Sequence, residues 1–119
     1  MHVKRKDYLE YFTEPADPSF YLKAMKYFEN KYGDVIFVVS TDDPMWCVNN
    51  FSRFRNVNII TVNSPSLNLA ILASCNHSIV DYGSFGEWGA ILAGGETIYF
   101  NFSHPSRALL GQLPNWHAV

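Results

Sequence analysis

An α/β fold, with a parallel sheet covered by helices on both faces, is what this 119-residue sequence predicts. Three observations carry the prediction. Val35-Ile36-Phe37-Val38-Val39 is an unbroken apolar run rich in β-branched residues, as expected of a strand buried on both sides. Asp17-Pro18 and Asp43-Pro44 each place a helix-capping carboxylate before a proline suited to the first helical position. Short apolar runs then alternate with helical stretches, the pattern of βαβ units.

The elements follow in order. His2 and Val3 read as the end of a strand. A helix is predicted over residues 19–32, with Phe20, Ala24, Tyr27, Phe28 and Lys31 at spacings of three and four and Gly33 as its stop. The run at 35–39 is the next strand, and Asp43-Pro44 starts a short helix through about Asn50. Residues 57–62 form a strand. Ser66 is expected to cap a helix through about Ser74, with Leu67, Ala70, Ile71 and Ala73 inward. Residues 77–80 are a strand, 85–92 a helix, and Gly94-Gly95 turns the chain into a strand over 97–100; the tail 109–116 reads as irregular. The whole is a Rossmann-like half-domain of about four strands, with right-handed crossovers. Ligands of such sheets bind outside the carboxyl ends of the strands, where residues 40–43, 63–66 and 81–84 converge.

Size and composition narrow the function. The length allows one domain, and 48% apolar with 16% aromatic residues supply a core. A net charge of −2 and a pI near 6.0 argue against a general nucleic-acid binder. Two cysteines, Cys47 and Cys75, read as free buried thiols, with a single bridge the alternative. No Cys/His spacing suits zinc, and no apolar run reaches the ~20 residues of a membrane span. The abrupt charged start suggests a C-terminal piece of a longer chain. Three Asn-x-Ser sequons occur, at Asn50, Asn76 and Asn101. Asn50 and Asn101 are the glycan candidates, because Asn76 is expected on a buried strand.

Two segments carry chemistry. His2-Val3-Lys4-Arg5-Lys6-Asp7-Tyr8 puts a histidine and adjacent cations at a strand end, where they can meet one anionic ligand; the bland reading is a solvated charged terminus. Gly83-Ser84-Phe85-Gly86-Glu87-Trp88-Gly89-Ala90 follows a strand with a tight turn and a helix, offering a hydroxyl and free N–H groups to phosphate.

The first segment is similar to the His-x-Arg-Arg-x-Asp motif of the α-1,2-, α-1,6- and protein O-fucosyltransferases. The other landmarks resemble the α-1,2 family (glycosyltransferase family 11) in order: Ile36-Phe37-Val38-Val39-Ser40, Trp46-Cys47, Leu67-Asn68-Leu69-Ala70-Ile71-Leu72, Cys75-Asn76-His77, the Ser84 segment, Gly94-Gly95-Glu96-Thr97-Ile98-Tyr99 and Leu113-Pro114-Asn115-Trp116. The likeness covers essentially the whole chain. It implies the C-terminal, GDP-fucose-binding half of a GT-B glycosyltransferase, with the acceptor half and membrane anchor absent. It also implies inverting transfer of fucose to a galactose 2-hydroxyl without a required metal ion or other cofactor. By resemblance His2 lies against the nucleoside, Lys4 and Arg5 stabilise the leaving diphosphate as the catalytic pair, and Ser84 with the N–H groups around Phe85 holds the β-phosphate. Asn68 belongs to the donor site at the guanine edge. The implied partners are GDP-fucose and a galactose-terminated glycan, and the implied address is the lumenal face of the Golgi membrane. Two positions depart from the family pattern. Lys4 replaces an arginine and loses its two-oxygen fork, and Asn68 stands where an aspartate is usual. The alternative is a truncated or degenerate, non-catalytic nucleotide-sugar-binding fragment of the same family.

The remaining polar residues have plainer readings. His77 is expected to be a hydrogen-bonded core histidine, and Asp43 a helix cap. Asp81 could contact a ligand or cap the turn at Gly83, and Asp42 stays open. Glu87 complements a helix dipole. Trp46, Trp88 and Trp116 read as core or sheet cover, and His104 and His117 as surface. No nucleophile–base constellation, Walker loop or dinucleotide fingerprint is present.

Overall fold

The computed structural model describes residues 1–6, 15–101 and 110–119. Six parallel strands form one sheet: β1 (His2–Val3), β2 (Phe37–Thr41), β3 (Val57–Ile59), β4 (Ser78–Val80), β5 (Thr97–Tyr99) and β6 (Trp116–Ala118). Their order is β3-β2-β1-β4-β5-β6. The α/β, Rossmann-like class read from the sequence holds, with six strands instead of about four. Beyond the four are β1, the strand end read at His2-Val3 and only two residues long, and β6, which begins at the last residue of the tail read as irregular. Neither is long enough to show a periodicity of its own.

Four helices are described: α1 (Pro18–Tyr32), α2 (Pro44–Phe51), α3 (Pro65–Ala73) and α4 (Ser84–Ala93). Asp17 caps α1 by accepting the Ser19 and Phe20 amides, and Asp43 caps α2 by accepting the Trp46 amide. Ser64, not Ser66, caps α3, because Pro65 takes the first helical position. Gly33 and Gly94 end α1 and α4 with positive φ angles of 79° and 77°, as glycine permits.

The period of two along each strand divides the layers. Met1, Val3, Phe37, Val39, Ile79 and Ile98 face one side and join Phe20, Tyr21, Ala24 and Phe28 of α1 with Cys47 and Phe51 of α2 in the main core. The alternate residues face α3 and α4: Ser40 bonds Asn68 of α3, and His2 meets Gly86 of α4. Gly89 packs on Leu72, where an added Cβ would lie 3.1 Å from the leucine Cβ. The α3 stripe expected from sequence is displaced. Leu72 is its buried residue, while Leu67 and Ala70 are exposed. An all-round apolar helix such as Leu67-Asn68-Leu69-Ala70-Ile71-Leu72 gives no phase from which to choose the inner face.

Other placements differ too. On α1, Tyr27 and Lys31 are exposed and reach Glu96 instead of the core. Trp88 is 58% exposed, whereas Trp46 packs on the core and Trp116 is buried. Asn76 is exposed just before β4, not buried within it, and the Cys75 thiol is half-buried, whereas Cys47 is fully buried.

Candidate functional site

The strand order reverses at β1. From there the chain builds outward to β2 and β3, then returns to the other flank of β1 for β4, β5 and β6. The crevice between the carboxyl ends of β1 and β4 is the switch point at which such sheets bind ligands. The chain leaves β1 as Lys4-Arg5-Lys6 and leaves β4 as Asp81-Tyr82-Gly83-Ser84. The two segments singled out from the sequence therefore meet at one crevice.

Two aspartates hold the cationic turn. The Lys4 amide donates to Asp81 Oδ2 at 2.7 Å, across the switch point. The Arg5 and Lys6 amides donate to Asp42 Oδ1 and Oδ2 at 2.8 and 3.1 Å, tying the same turn to the end of β2. Asp81 also accepts from the Tyr21 hydroxyl and the Tyr82 amide. Burial pushes its carboxyl up to about 7, against the pull of these donors. Asp81 is thus a buried brace that also holds the Tyr82 amide at the start of the Gly83 turn, and Asp42 is its counterpart at the end of β2. Sequence reasoning left both undecided. Their partners lie 77 and 37 residues away, a separation that only the sheet order closes.

The helix on the far wall is open at its start. α1, α2 and α3 each have a side-chain cap, whereas the N-cap of α4 is Gly83 (φ 100°) with no side-chain hydrogen bond. Its first N–H groups and the positive end of its dipole face the crevice, beside the exposed Ser84 hydroxyl and the half-buried Phe85. His2 lies beneath this turn. It is 6% exposed, its ring centroid is 5.3 Å from that of Phe85, and a Cβ on Gly86 would fall 2.6 Å from its Nδ1. Gly86 is therefore required by close approach. Burial, the Met1 ammonium and Lys4 hold the imidazole down to about 3, so it is neutral, and its buried Nδ1 has no hydrogen-bond partner among the described residues.

The other predicted site residues fall as follows. Lys4 Nζ lies 4.0 Å from Asp42 Oδ2. The Arg5 guanidinium stacks on Trp46, 3.9 Å from the ring centroid, and donates to the Ala16 carbonyl. Asn68 is fully engaged: Oδ1 accepts from Ser40 Oγ at 2.8 Å, and Nδ2 donates to the Val62 and Ser64 carbonyls at 2.8 and 2.9 Å. It clips α3 to the end of β2. His77 is a core histidine as expected, accepting the Glu96 amide at 3.0 Å and stacking on Tyr32. Asn50 donates to the Trp46 carbonyl, and Asn101 is exposed. His104 lies outside the described residues. Among the described residues no three His, Cys, Asp or Glu side chains cluster as metal ligands would.

The model of the family described as Glycosyl transferase family 11 matches residues 1–117. This chain belongs to that family. It is 35% identical over its whole length to galactoside alpha-(1,2)-fucosyltransferase 1 of Rattus norvegicus, of which it covers 36%. It is 35% identical to galactoside alpha-(1,2)-fucosyltransferase 2 of Bos taurus and 34% to galactoside 2-alpha-L-fucosyltransferase Sec1 of Mus musculus, covering 40% and 37% of them and again matching over its full length. The chain thus spans about two fifths or less of these relatives. No solved structure matches it. The resemblance read from the motifs in the sequence is confirmed.

Proposed function

We propose that this chain is the donor-binding part of a galactoside α-1,2-fucosyltransferase, holding GDP-fucose at the β1/β4 crevice. The relatives carry that transferase in their names. The observation that carries the reading is the Lys4–Asp81 hydrogen bond, which fixes a cationic turn beside the uncapped start of α4. Opposed positive ends at a switch point suit a diphosphate. Lys4 supplies charge at the strand end. Arg5 exchanges the Ala16 carbonyl for a phosphate oxygen while its plane stays on Trp46. Ser84 and the amides at Phe85 take the β-phosphate, His2 supports the nucleoside side, and Asn68 shapes the floor near the base.

In the proposed reaction the galactose 2-hydroxyl attacks C1 of fucose as the bond from C1 to the β-phosphate oxygen breaks. GDP departs with the electron pair and the anomeric centre inverts. The developing charge on GDP falls on Lys4, Arg5 and the α4 dipole, so this reading requires no metal ion. The acceptor wall and the base for the attacking hydroxyl are left to polypeptide of the kind the longer relatives contain, and the proposed setting is the Golgi lumen. No helix among the described residues is long and apolar enough to cross a membrane.

The test is thermal denaturation with millimolar GDP. The expected result is a rise in melting temperature for the wild type, reduced in Lys4→Ala and abolished in Arg5→Ala. A parallel assay with GDP-fucose and lactose separates binding from turnover. No shift with GDP would overturn the reading.

A further inference from the structure

Lys4 and Arg5 leave β1 side by side, yet each rests on a different support. The Lys4 amide is held by Asp81 from the end of β4, and the Arg5 guanidinium lies over the Trp46 ring of α2. Both supports meet at Tyr21 of α1, the largest fully buried side chain among the described residues.

The hydroxyl of Tyr21 reaches Asp81. It donates to Oδ2, the same oxygen that accepts the Lys4 amide at 2.7 Å, while Oδ1 takes the Tyr82 amide. A carboxylate with donors on both oxygens cannot rotate without breaking one of those bonds. Burial raises this carboxyl to about 7, and the tyrosine hydroxyl leads the donors that pull it back. Tyr21 therefore favours the ionised form, which is the stronger acceptor for Lys4. Among the described residues, the other titratable groups around Asp81 are the Met1 ammonium, Lys4 and the Cys47 thiol of α2, with Asp42 at the next amide of the turn.

The ring of Tyr21 reaches Trp46. Tyr21, Trp46 and Phe51 form a triangle with centroids 5.7 to 5.8 Å apart and planes inclined at 66° to 79°, edge to face at each contact. Tyr21 and Phe51 are fully buried, so the half-buried indole is held from the core while Arg5 covers its face, 3.9 Å from the centroid. Packing alone would be served by phenylalanine, which α1 already buries at positions 20 and 28. The hydroxyl adds the hold on Asp81.

We propose that Tyr21 is a positioning residue of the donor crevice: its hydroxyl sets the Asp81 oxygen that holds Lys4, and its ring sets the Trp46 plane that carries Arg5. One buried side chain then keeps the two cations in register before any diphosphate arrives. The inference rests on the reading of Lys4 and Arg5 as the diphosphate grip.

The test compares the wild type with Tyr21→Phe, which removes only the hydroxyl, and Tyr21→Leu, which removes the ring as well. Without nucleotide, the Lys4 amide NMR signal is followed as pH is raised. In the wild type it should move with a midpoint of about 7. In Tyr21→Phe the midpoint should lie higher, since a donor to the ionised form is gone; a loss of packing alone would not move it this way. The Arg5 side-chain protons, displaced by the Trp46 ring current, should stay in place in Tyr21→Phe and shift toward ordinary values in Tyr21→Leu. GDP affinity at neutral pH should fall about fivefold in Tyr21→Phe, the scale of one hydrogen bond, and further in Tyr21→Leu. An unchanged Lys4 midpoint in Tyr21→Phe, or unchanged GDP affinity in both variants, would overturn the proposal. A wild type that does not bind GDP overturns the donor-site reading instead, and the nucleotide-free Lys4 and Arg5 signals then decide the positioning role. If Tyr21→Leu does not fold, Tyr21→Phe decides alone.

Discussion

Asp81 shows how one residue links fold to site. Its carboxylate accepts from Lys4, Tyr21 and Tyr82, yet burial raises it to about 7, above the ordinary 3.8. A carboxyl that is more basic folded than unfolded contributes stability fully below pH 3.8, and that contribution is lost as pH rises through 7. His2 and the Met1 ammonium, both lowered by burial, act in the opposite sense in neighbouring windows, losing stability as pH falls. Comparison with a variant isolates Asp81. Asp81→Asn puts an amide N–H₂ where donors converge, at a cost of about 1–3 kcal/mol. The variant is expected to melt lower at pH 4, and the gap should narrow as pH rises to 7. Melting curves at intervals across that range check it, and a widening gap would contradict the assignment. The chemistry of this crevice was legible at Lys4, Arg5 and Ser84, since charge and a Gly-Ser turn are local features. The bracing by Asp42 and Asp81, and the burial of His2 under Gly86, were not legible, because they depend on strand neighbours remote in sequence.

At the scale of elements, the caps were readable and β6 was not. Asp17-Pro18 and Asp43-Pro44 state a helix start within two residues, and both helices begin there. β6 has no comparable signal. It is held by the Thr97 amide donating to Asn115 at 2.8 Å and by Glu96, which reaches α1 and β6 together. Glu96 accepts from Tyr27, from Tyr32 at 2.8 Å and from Lys31 at 3.1 Å, and lies 2.9 Å from His117 Nε2. Burial alone would raise its carboxyl, but these donors pull it down to about 2. A depressed carboxyl contributes stability above pH 4.5 that is lost as pH falls toward 2. Glu96→Gln is expected to lower the melting temperature at pH 7 and to speed hydrogen exchange at Thr97, with little effect on residues 37–39. Unchanged exchange at Thr97 would show that β6 docks without this carboxylate.

For the molecule as a whole, the sheet order β3-β2-β1-β4-β5-β6 puts the switch point at β1. At the carboxyl end it places the cationic turn against the open start of α4. Sequence periodicity gave the α/β class but not this order, since β1 is only two residues long and its position is set by pairing. The central claim is that a nucleoside diphosphate sits at the carboxyl end of β1. An amide NMR titration with GDP tests it most directly. The predicted result is saturable shifts at Lys4, Ser84, Phe85 and Gly86, with residues 36–38 and 76–78 unmoved. Shifts confined to those amino-edge residues, or none at millimolar GDP, would contradict the account.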